Sequence, residues 1–226
     1  LSYKPDCSQF DVWLQTQFTQ TEDRSQRLLE NLWCDLHFRR TDRVLVLGTS
    51  AFFWALKPLN EVPEGGVTIL TSCVSEENKI LTQLNSLDPL QRPQVIHATN
   101  QAIANLQKDL FFEVIGGRVF SNILSENIFL DLWRSITKRC LSKTELRLLI
   151  SHAELGPAKA LSQIIDSPIL GLDPVIKLEE KLLSMKDKKQ YFINFMYELG
   201  WEIRIEEWEE TLTLEINSEL EKRWFA

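Results

Sequence analysis

The chain is poor in the residue types that build metal and redox sites. Its 226 residues include only 8 glycines, 4 cysteines and 3 histidines. No two cysteines form a C-x-x-C pair, so the spacing fits neither a zinc knuckle nor a disulfide framework, and reduced, mostly buried thiols are expected. The histidines add no cluster of ligands, and we predict no metal site. The residues concerned are Cys7, Cys34, Cys73, Cys140, His37, His97 and His152.

Long apolar runs and a basic excess are also missing. No apolar stretch approaches the roughly 20 residues that cross a bilayer, and the first residues have no signal-peptide pattern. We therefore expect no membrane contact and a cytoplasmic location. The formal net charge of −7 argues against a large sequence-independent DNA surface, because phosphate binding depends on clustered Lys and Arg. Any contact with nucleic acid would have to be local or made by another domain.

Two enzyme classes lose their support because their motifs are absent. Nothing resembles G-x-x-x-x-G-K-[ST], so these residues are not expected to hydrolyse ATP. Ser50 and Ser72 lack a nearby His and Asp pattern, which excludes a hydrolase triad. The chain begins with Leu1 rather than Met, and we interpret it as a piece of a longer polypeptide.

The segment 44–54 has the position of a nucleotide-binding turn without its residues. A buried strand ends at Gly48 and a helix follows at once, where doubly wound sheets bind a cofactor. The spacing matches a D-x-G-x-G-x-G loop, whose four positions here read Val46, Gly48, Ser50 and Phe52. Phe52 fills space that a close backbone approach leaves open, and Val46 removes a carboxylate. The pattern predicts the strand, turn and helix of a cofactor-binding domain without most of the residues that bind the cofactor.

Alternating strand and helix patterns predict βα units up to residue 165, and hence a parallel sheet covered on both faces. Pro58 should bend or end the second helix early. The predicted strands are Val44–Leu47, Val67–Leu70, Val95–His97, Phe111–Ile115, closed by Gly116 and Gly117, and Glu145–Ser151. The predicted helices are 21–36, Ala51–Leu56, Ser75–Leu87, Gln101–Lys108, Leu124–Cys140 and one through Leu161 and Ile165. In the helix Leu124–Cys140, the residues Ile128, Leu132 and Ile136 are predicted to form one apolar stripe.

The pattern changes after Pro168. Two helices are predicted over Val175–Met185 and Lys189–Leu199, the second stopped by Gly200 as a C′ glycine. Trp201–Trp208 and Thr211–Ile216 alternate with a period near 2, which predicts an antiparallel strand pair, and Leu220–Trp224 forms a last short helix.

The predicted fold class is therefore α/β: a Rossmann-like, doubly wound, mostly parallel seven-stranded sheet with an antiparallel C-terminal strand pair and an extra N-terminal helix. Residues 1–20 are predicted to be an N-terminal extension or linker, and residues 21–226 the α/β domain. The tryptophans are expected in core or interdomain packing rather than as base-stacking platforms.

Five βα units, a helix ending at Gly200 and a closing strand pair resemble the layout of class I S-adenosylmethionine-dependent methyltransferases. Over roughly residues 20–226 the chain further resembles the C-terminal methyltransferase-like domain of RarA-type (MgsA-like) AAA ATPases, in the fusion proteins of cyanobacterial type. The residues that carry this narrower resemblance are Val62–Gly66, Phe112–Ile115 with Gly117 and Arg118, and the stretch 215–225.

The methyltransferase resemblance implies a set of cofactor positions. Loop glycines would fall at Gly48, Ser50 and Phe52, and only the first matches. The acid that grips the ribose would fall at Ser72, which offers only a hydroxyl. The adenine-facing position falls at Asn100, which pairs with an adenine edge or simply caps the next helix.

Arg118 is placed after the fourth strand, near the crevice. It either holds a ligand carboxylate or phosphate or pairs with Glu113 or Glu126. If S-adenosylmethionine is bound, the candidate contacts are thus Gly48, Ser50, Ser72, Asn100 and Arg118. No catalytic residue is assigned, because the chain carries neither the N/D-P-P-Y loop of amino-methylating DNA enzymes nor a Pro-Cys in that place.

These resemblances imply a diverged, non-catalytic methyltransferase-like domain. It would serve as an interaction or regulatory module for an AAA ATPase domain in the same polypeptide, in replication-linked DNA repair and recombination, with further protein partners at the replication fork. The ATPase chemistry would lie outside these residues. The alternatives are an active S-adenosylmethionine-dependent methyltransferase of unknown substrate, in which Ser50 and backbone groups replace glycine contacts, and a nucleoside sensor that binds without turnover.

Overall fold

A computed structural model describes residues 22–48, 50–71, 74–85, 92–97, 110–120, 123–151 and 186–208, with positions 103, 159, 173, 176, 177 and 180. Five helices and five strands have defined bounds there. The helices are α1 Glu22–Leu32, α2 Ala51–Glu61, α3 Val74–Leu84, α4 Asn127–Thr137 and α5 Lys186–Glu198. The strands are β1 Arg43–Gly48, β2 Gly66–Thr71, β3 Gln94–His97, β4 Phe112–Phe120 and β5 Cys140–Ser151.

The five strands form one parallel sheet in the order β3-β2-β1-β4-β5. The order reverses between β1 and β4, which makes the carboxyl ends of these two strands the topological switch point of the sheet. The prediction of an α/β, Rossmann-like parallel sheet is confirmed for these strands. Of the predicted seven strands, the antiparallel pair is not shown: Trp201–Trp208 has no strand structure, and Thr211–Ile216 lies outside the described residues. The predicted helix Leu220–Trp224 and the one through Leu161 and Ile165 also lie outside them, as do most of Gln101–Lys108 and Val175–Met185.

Both faces of the central strand β1 are buried, as is typical of a parallel sheet covered on both sides. Val44 and Val46 of β1 belong to a hydrophobic cluster that also contains residues of α1, α2 and α3. Leu45 and Leu47 point to the opposite face by strand alternation and are no more than 2% exposed. The continuous apolar run of β1 follows from this double burial.

Trp33, directly after α1, links that helix to α2. It is fully buried, and its ring meets Phe38 edge-on with the centroids 5.4 Å apart. Its indole nitrogen donates a hydrogen bond to the carbonyl of Trp54 at 3.0 Å. Trp54 and Trp133 are at most 1% exposed, so the predicted packing role is confirmed for these two rings.

Of the two outcomes predicted at Pro58, a bend or an early end of the helix, the early end is wrong. The helix continues through Pro58 to Glu61. A proline cannot donate to the carbonyl four residues earlier, which here is Trp54. That carbonyl accepts the indole N–H of Trp33 instead, so a tertiary contact replaces the lost helical bond.

The fourth strand is longer than the sequence predicted, since β4 continues past Ile115 to Phe120. Gly116 and Gly117 lie inside the strand because their backbones are closely approached. A Cβ at Gly116 would lie 2.1 Å from the ring of Trp33, and one at Gly117 would lie 1.9 Å from the carbonyl oxygen of Leu47. Glycines in a strand interior mark such approaches as often as they mark its end.

Helix α4 buries a different stripe from the predicted one. Leu132 and Ile136 are buried, but Ile128, in the first turn of the helix, is 71% exposed. Phe129 takes the core position in the first turn, and its ring contacts Trp133 edge-on.

Chain contacts divide the protein into two units, 27–151 and 1–26 with 152–226. The first contains the sheet. In the second, α5 buries Phe192, Phe195 and Met196. The prediction of a C′ glycine is confirmed at Gly200, which has φ +89° and is followed by a bond from the Trp201 amide to the Met196 carbonyl at 3.1 Å. None of the helices in the described ranges is long and apolar enough to cross a membrane.

Candidate functional site

The candidate site is the turn between β1 and α2, at the switch point of the sheet. Gly48 is the last residue of β1 and lies beside Arg118 of β4 in the parallel register. Ser50 caps the amino end of α2. Strand end, turn and helix start thus have the arrangement that the sequence predicted for a cofactor loop.

Gly48 is required by the pairing of the two central strands. Its φ is +93°, and a Cβ there would lie 1.9 Å from the carbonyl oxygen of Arg118. Neither the left-handed backbone nor that approach tolerates a side chain. The single glycine retained in the loop is therefore explained by the contact between β1 and β4, without any ligand.

Ser50 holds a backbone conformation that suits glycine. Its φ of 56° and ψ of 40° are left-handed, and its side chain makes no capping hydrogen bond. Its carbonyl accepts the amide of Phe53 at 2.9 Å, which closes the first turn of α2. A non-glycine residue in this region costs about 1–2 kcal/mol, so the turn keeps a strained shape although its glycine has been replaced.

The other two loop positions belong to the hydrophobic interior. Val46, in place of the acid, is fully buried within the core cluster. Phe52 is half-buried and packs against the same cluster. Both side chains contribute to the stability of the sheet and its covering helix, and neither brings a polar group to the turn.

Arg118 lies within β4 and not after it, which corrects its predicted place beside the crevice. The side chain is 1% exposed. Its Nε donates to the hydroxyl of Ser151 at 2.8 Å, and the guanidinium lies 5.8 Å from the ring centroid of Trp54, within the range of a cation–π contact. Arg118 is thus enclosed between β5 and α2, out of reach of a ligand in this conformation.

Glu113, one of the two predicted partners of Arg118, has a different contact. Its carboxylate accepts the backbone amide of Arg43 at 2.7 Å, at the amino end of β1. It lies five residues from Arg118 along β4, so the two side chains point to opposite faces of the strand. The suggested pairing with Glu113 is not formed.

Ser72 and Asn100 lie outside the described residues and stay predictions. Thr71, the last residue of β2, is fully buried, and its hydroxyl donates to the carbonyl of Ile96 at 3.4 Å. At the described end of β2, the Thr71 hydroxyl therefore bonds to the neighbouring strand β3.

The described loop residues do not fit S-adenosylmethionine. Position 46 has no carboxylate, the space beside Gly48 is taken by the Arg118 carbonyl, and the nearby cation is directed into the core. Sequence reasoning missed two contacts of Trp54: its carbonyl accepts the Trp33 indole N–H, and its ring lies against the Arg118 guanidinium. Their sequence signal is the glycine pair inside β4, in a chain rich in tryptophan.

Cys140, the first residue of β5, has a clearly displaced pKa. Burial raises the pKa of the thiol to about 12, although the hydrogen bond with Thr144 acts in the opposite direction. The Sγ donates to the carbonyl of Ile136 at 3.3 Å. The group is therefore a neutral thiol at physiological pH, and the thiolate, which is the reactive form, is disfavoured there. Among the described positions, no group of three or more His, Cys, Asp or Glu is placed to hold a metal ion.

No family model and no curated protein matches the sequence. Solved structures similar to the chain include a precorrin-6y C5,15-methyltransferase from Geobacter metallireducens GS-15, at 11% identity over 81% of this chain and 74% of that one, with a TM-score of 0.48. Another is the plantazolicin methyltransferase BpumL with a pentazolic desmethylPZN analog and SAH, at 9% identity over 83% and 70%, with a TM-score of 0.49. A third is a coclaurine N-methyltransferase bound to N-methylheliamine and SAH, at 18% identity over 65% of this chain but only 38% of that one, with a TM-score of 0.43. These similarities concern the course of the chain and say nothing of activity.

Proposed function

We propose that this chain is a diverged methyltransferase-like domain that does not catalyse methyl transfer and acts as an interaction or regulatory module. The observation that carries the proposal is the use of the cofactor-loop positions for packing. Val46 and Phe52 belong to the core cluster, and the one retained glycine, Gly48, serves the contact between β1 and β4. The sheet is kept while the groups that would bind a nucleoside are replaced.

The partner in this proposal is a RarA-type AAA ATPase domain in the same polypeptide, with a role in replication-linked DNA repair and recombination in the cytoplasm. This part is supported by the sequence resemblance over Val62–Gly66, Phe112–Ile115 and 215–225, and by the absence of a Walker-type loop from the chain itself. The domain proposed here also includes a closing antiparallel strand pair, formed by Trp201–Trp208 and Thr211–Ile216. The test compares ATP hydrolysis by the full polypeptide with and without residues 1–226. We expect the rate or its stimulation by DNA to change, and hydrolysis by residues 1–226 alone would refute this assignment.

The non-catalytic assignment is tested by calorimetric titration with S-adenosylmethionine and S-adenosylhomocysteine up to millimolar concentration. We expect no binding heat and no thermal shift, because apolar side chains that pack in the core occupy loop positions 46 and 52. ATP serves as a control for unspecific nucleotide binding. Micromolar binding of either compound, with ATP inert, would refute the proposal.

A second candidate, an active S-adenosylmethionine-dependent methyltransferase, is favoured by the left-handed Ser50. Strained non-glycine residues persist where the surroundings enforce them, often at functional sites. In this alternative the turn keeps its shape because it still contacts a cofactor, and Ser72 and Asn100 supply the polar contacts. It predicts saturable binding that Ser50→Pro abolishes, because a proline fixes φ near −65°.

A further inference from the structure

A row of basic side chains lies at the amino ends of the central strands, at the opposite edge of the sheet from the candidate site. The chain entering β1 carries Arg39, Arg40 and Arg43, and the chain passing from α4 into β5 carries Lys138, Arg139 and Lys143. The amino ends of parallel strands meet at one edge of a sheet. We call these six residues the basic edge.

Two hydrogen bonds connect β4 to the two segments of the basic edge, the one entering β1 and the one entering β5, which lie on either side of β4. The amide of Arg43 donates to Glu113 at 2.7 Å, and the amide of Phe112 donates to the carbonyl of Arg139 at 2.9 Å. The two segments are therefore separated by the width of one strand, which places their backbones about 10 Å apart.

The register between β4 and β5 shifts, as in a β-bulge, within the basic edge. Between the pairs Phe112↔Cys140 and Val114↔Glu145, β5 advances five residues while β4 advances two. The extra residues are held by Thr144, whose hydroxyl accepts the Leu141 amide at 2.7 Å and donates to the Phe112 carbonyl at 2.6 Å. Lys143 is exposed within this bulge. Bulges of this kind re-aim side chains and recur in functional regions.

The charges of the basic edge are only partly neutralised. Asp42 is buried and accepts the backbone amide of Arg39 at 2.8 Å, and Glu64 pairs with Arg40 at 2.8 Å. Across the described ranges, Arg39, Lys138 and Lys143 are exposed and make no ion pair with a carboxylate. These three cations are available to an external anion.

The unit that contains the basic edge does not share the acidity of the chain. Residues 27–151 contain fourteen Lys and Arg against thirteen Asp and Glu, whereas the remainder contains eleven against nineteen. The net charge of −7 thus arises outside the unit that carries the sheet, and a local anion site is compatible with an acidic chain.

We propose that the basic edge binds the sugar-phosphate backbone of single-stranded nucleic acid, without sequence preference. The cations are spread over about 10 Å, more than one isolated phosphate needs, and Arg39 offers the fork geometry that suits phosphate oxygens. Among the described large hydrophobics that are exposed, Leu141 alone lies in these two segments. A docked protein would need a more extensive apolar centre, so a phosphate backbone is the better match than an acidic polypeptide.

The test is fluorescence anisotropy of a labelled oligo-dT of about 20 nucleotides with the full chain, over a salt series from about 50 mM upward. Single-strand binding loses about 0.7 log units of affinity per log unit of salt for each phosphate neutralised. Replacing the three exposed cations, by Arg39→Glu, Lys138→Glu and Lys143→Glu together, should lower that slope by about 2 and weaken binding about tenfold or more at low salt.

A matched control changes the net charge equally at exposed cations outside the basic edge: Arg27→Glu, Lys79→Glu and Arg204→Glu. The control should bind like the wild type, and far-ultraviolet circular dichroism should show that both variants are folded. If the charge reversals unfold the chain, Arg39→Gln, Lys138→Gln and Lys143→Gln replace them, with a smaller loss expected. The proposal is overturned by no binding at low salt, by equal losses in both triple variants, or by polyglutamate displacing the oligonucleotide at lower concentration than unlabelled oligo-dT. The test is independent of S-adenosylmethionine binding, because the two sites lie at opposite edges of the sheet.

Discussion

Replacing Gly48 by alanine should destabilise the protein far more than replacing Gly66 by alanine. The two glycines are a matched pair, since both lie at a strand end with a positive φ, +93° and +108°. They differ in their surroundings. A Cβ at Gly48 would lie 1.9 Å from the Arg118 carbonyl oxygen, whereas no described atom lies within 4 Å of a Cβ at Gly66.

The expected magnitudes follow from separating backbone strain from steric overlap. The left-handed backbone costs an alanine about 1–2 kcal/mol, of which about 0.4–1 kcal/mol is offset because alanine restricts the unfolded chain. Gly66→Ala should therefore cost about 1 kcal/mol. At Gly48 the overlap is with the backbone of the central strand β4, which cannot rotate away, and overpacking adds about 1–3 kcal/mol or more. Gly48→Ala should therefore cost about 2–4 kcal/mol, a large part of a typical domain stability of about 5–15 kcal/mol.

The measurement is urea unfolding followed by tryptophan fluorescence and circular dichroism, without any ligand. Equal m-values would show that the variants unfold from comparable native states. If Gly48→Ala and Gly66→Ala differ by less than about 1 kcal/mol, close approach of β4 is not the reason for Gly48. A ligand contact would then be the better explanation for the retained glycine, and the proposed loss of cofactor binding would be weakened.

Four further outcomes are expected. Ser50→Gly should stabilise the fold by about 0.5 kcal/mol in the same urea titration, because relief of the left-handed strain exceeds the entropy cost of glycine; a loss of stability would show that the hydroxyl contributes. Gly116→Ala should cost about 2–3 kcal/mol, and a double-mutant cycle with Trp33→Phe should recover part of it, since a Cβ at position 116 would lie 2.1 Å from the Trp33 ring; additive costs would contradict this. Iodoacetamide at about pH 9 should alkylate the exposed Cys34 well before Cys140, because burial raises the Cys140 pKa to about 12 and the thiolate is the reactive form; peptide mass spectrometry gives both rates, and equal rates would refute the assignment. The same raised pKa means that the stabilising contribution of the neutral thiol is complete below the unfolded value of about 8.5 and is lost as the pH rises toward 12, a decline that Cys140→Ala should lack.

The fold class was readable from the sequence because strand and helix periods alternate along the chain. The run from Val44 to Leu47 is apolar at every position, which is typical of a strand buried on both faces. Gly200 after a polar-apolar helix predicted its C-terminal cap, and the cap geometry confirms it. These features depend on neighbours in sequence, so composition and spacing were sufficient to predict them.

The sequence predicted the position of the candidate site correctly but not which side chains lie at it. The turn at Gly48 lies at the switch point as expected, yet the sequence assigned Arg118 to the crevice and ended β4 before it. A glycine pair can end a strand or allow a neighbouring group to pack closely against it, and which of the two happens depends on that neighbour. For Gly116 the neighbour is Trp33, which lies 83 residues away along the chain. Pro58 was misjudged for the same reason, since a distant indole satisfies the carbonyl that it leaves open.

Local pattern by itself determined the α/β alternation, the burial of β1 and the absence of an acid at position 46 and of glycine at positions 50 and 52. Only the tertiary structure decided that Gly48 serves strand pairing, that Arg118 is enclosed by Trp54 and Ser151, and that basic residues from two distant segments meet at one edge of the sheet. The physical reason is the sequence distance over which each feature arises. Strand and helix periods and the absence of a residue type can be seen within a few residues. Close approach, burial and local charge density depend on contacts between segments far apart in sequence.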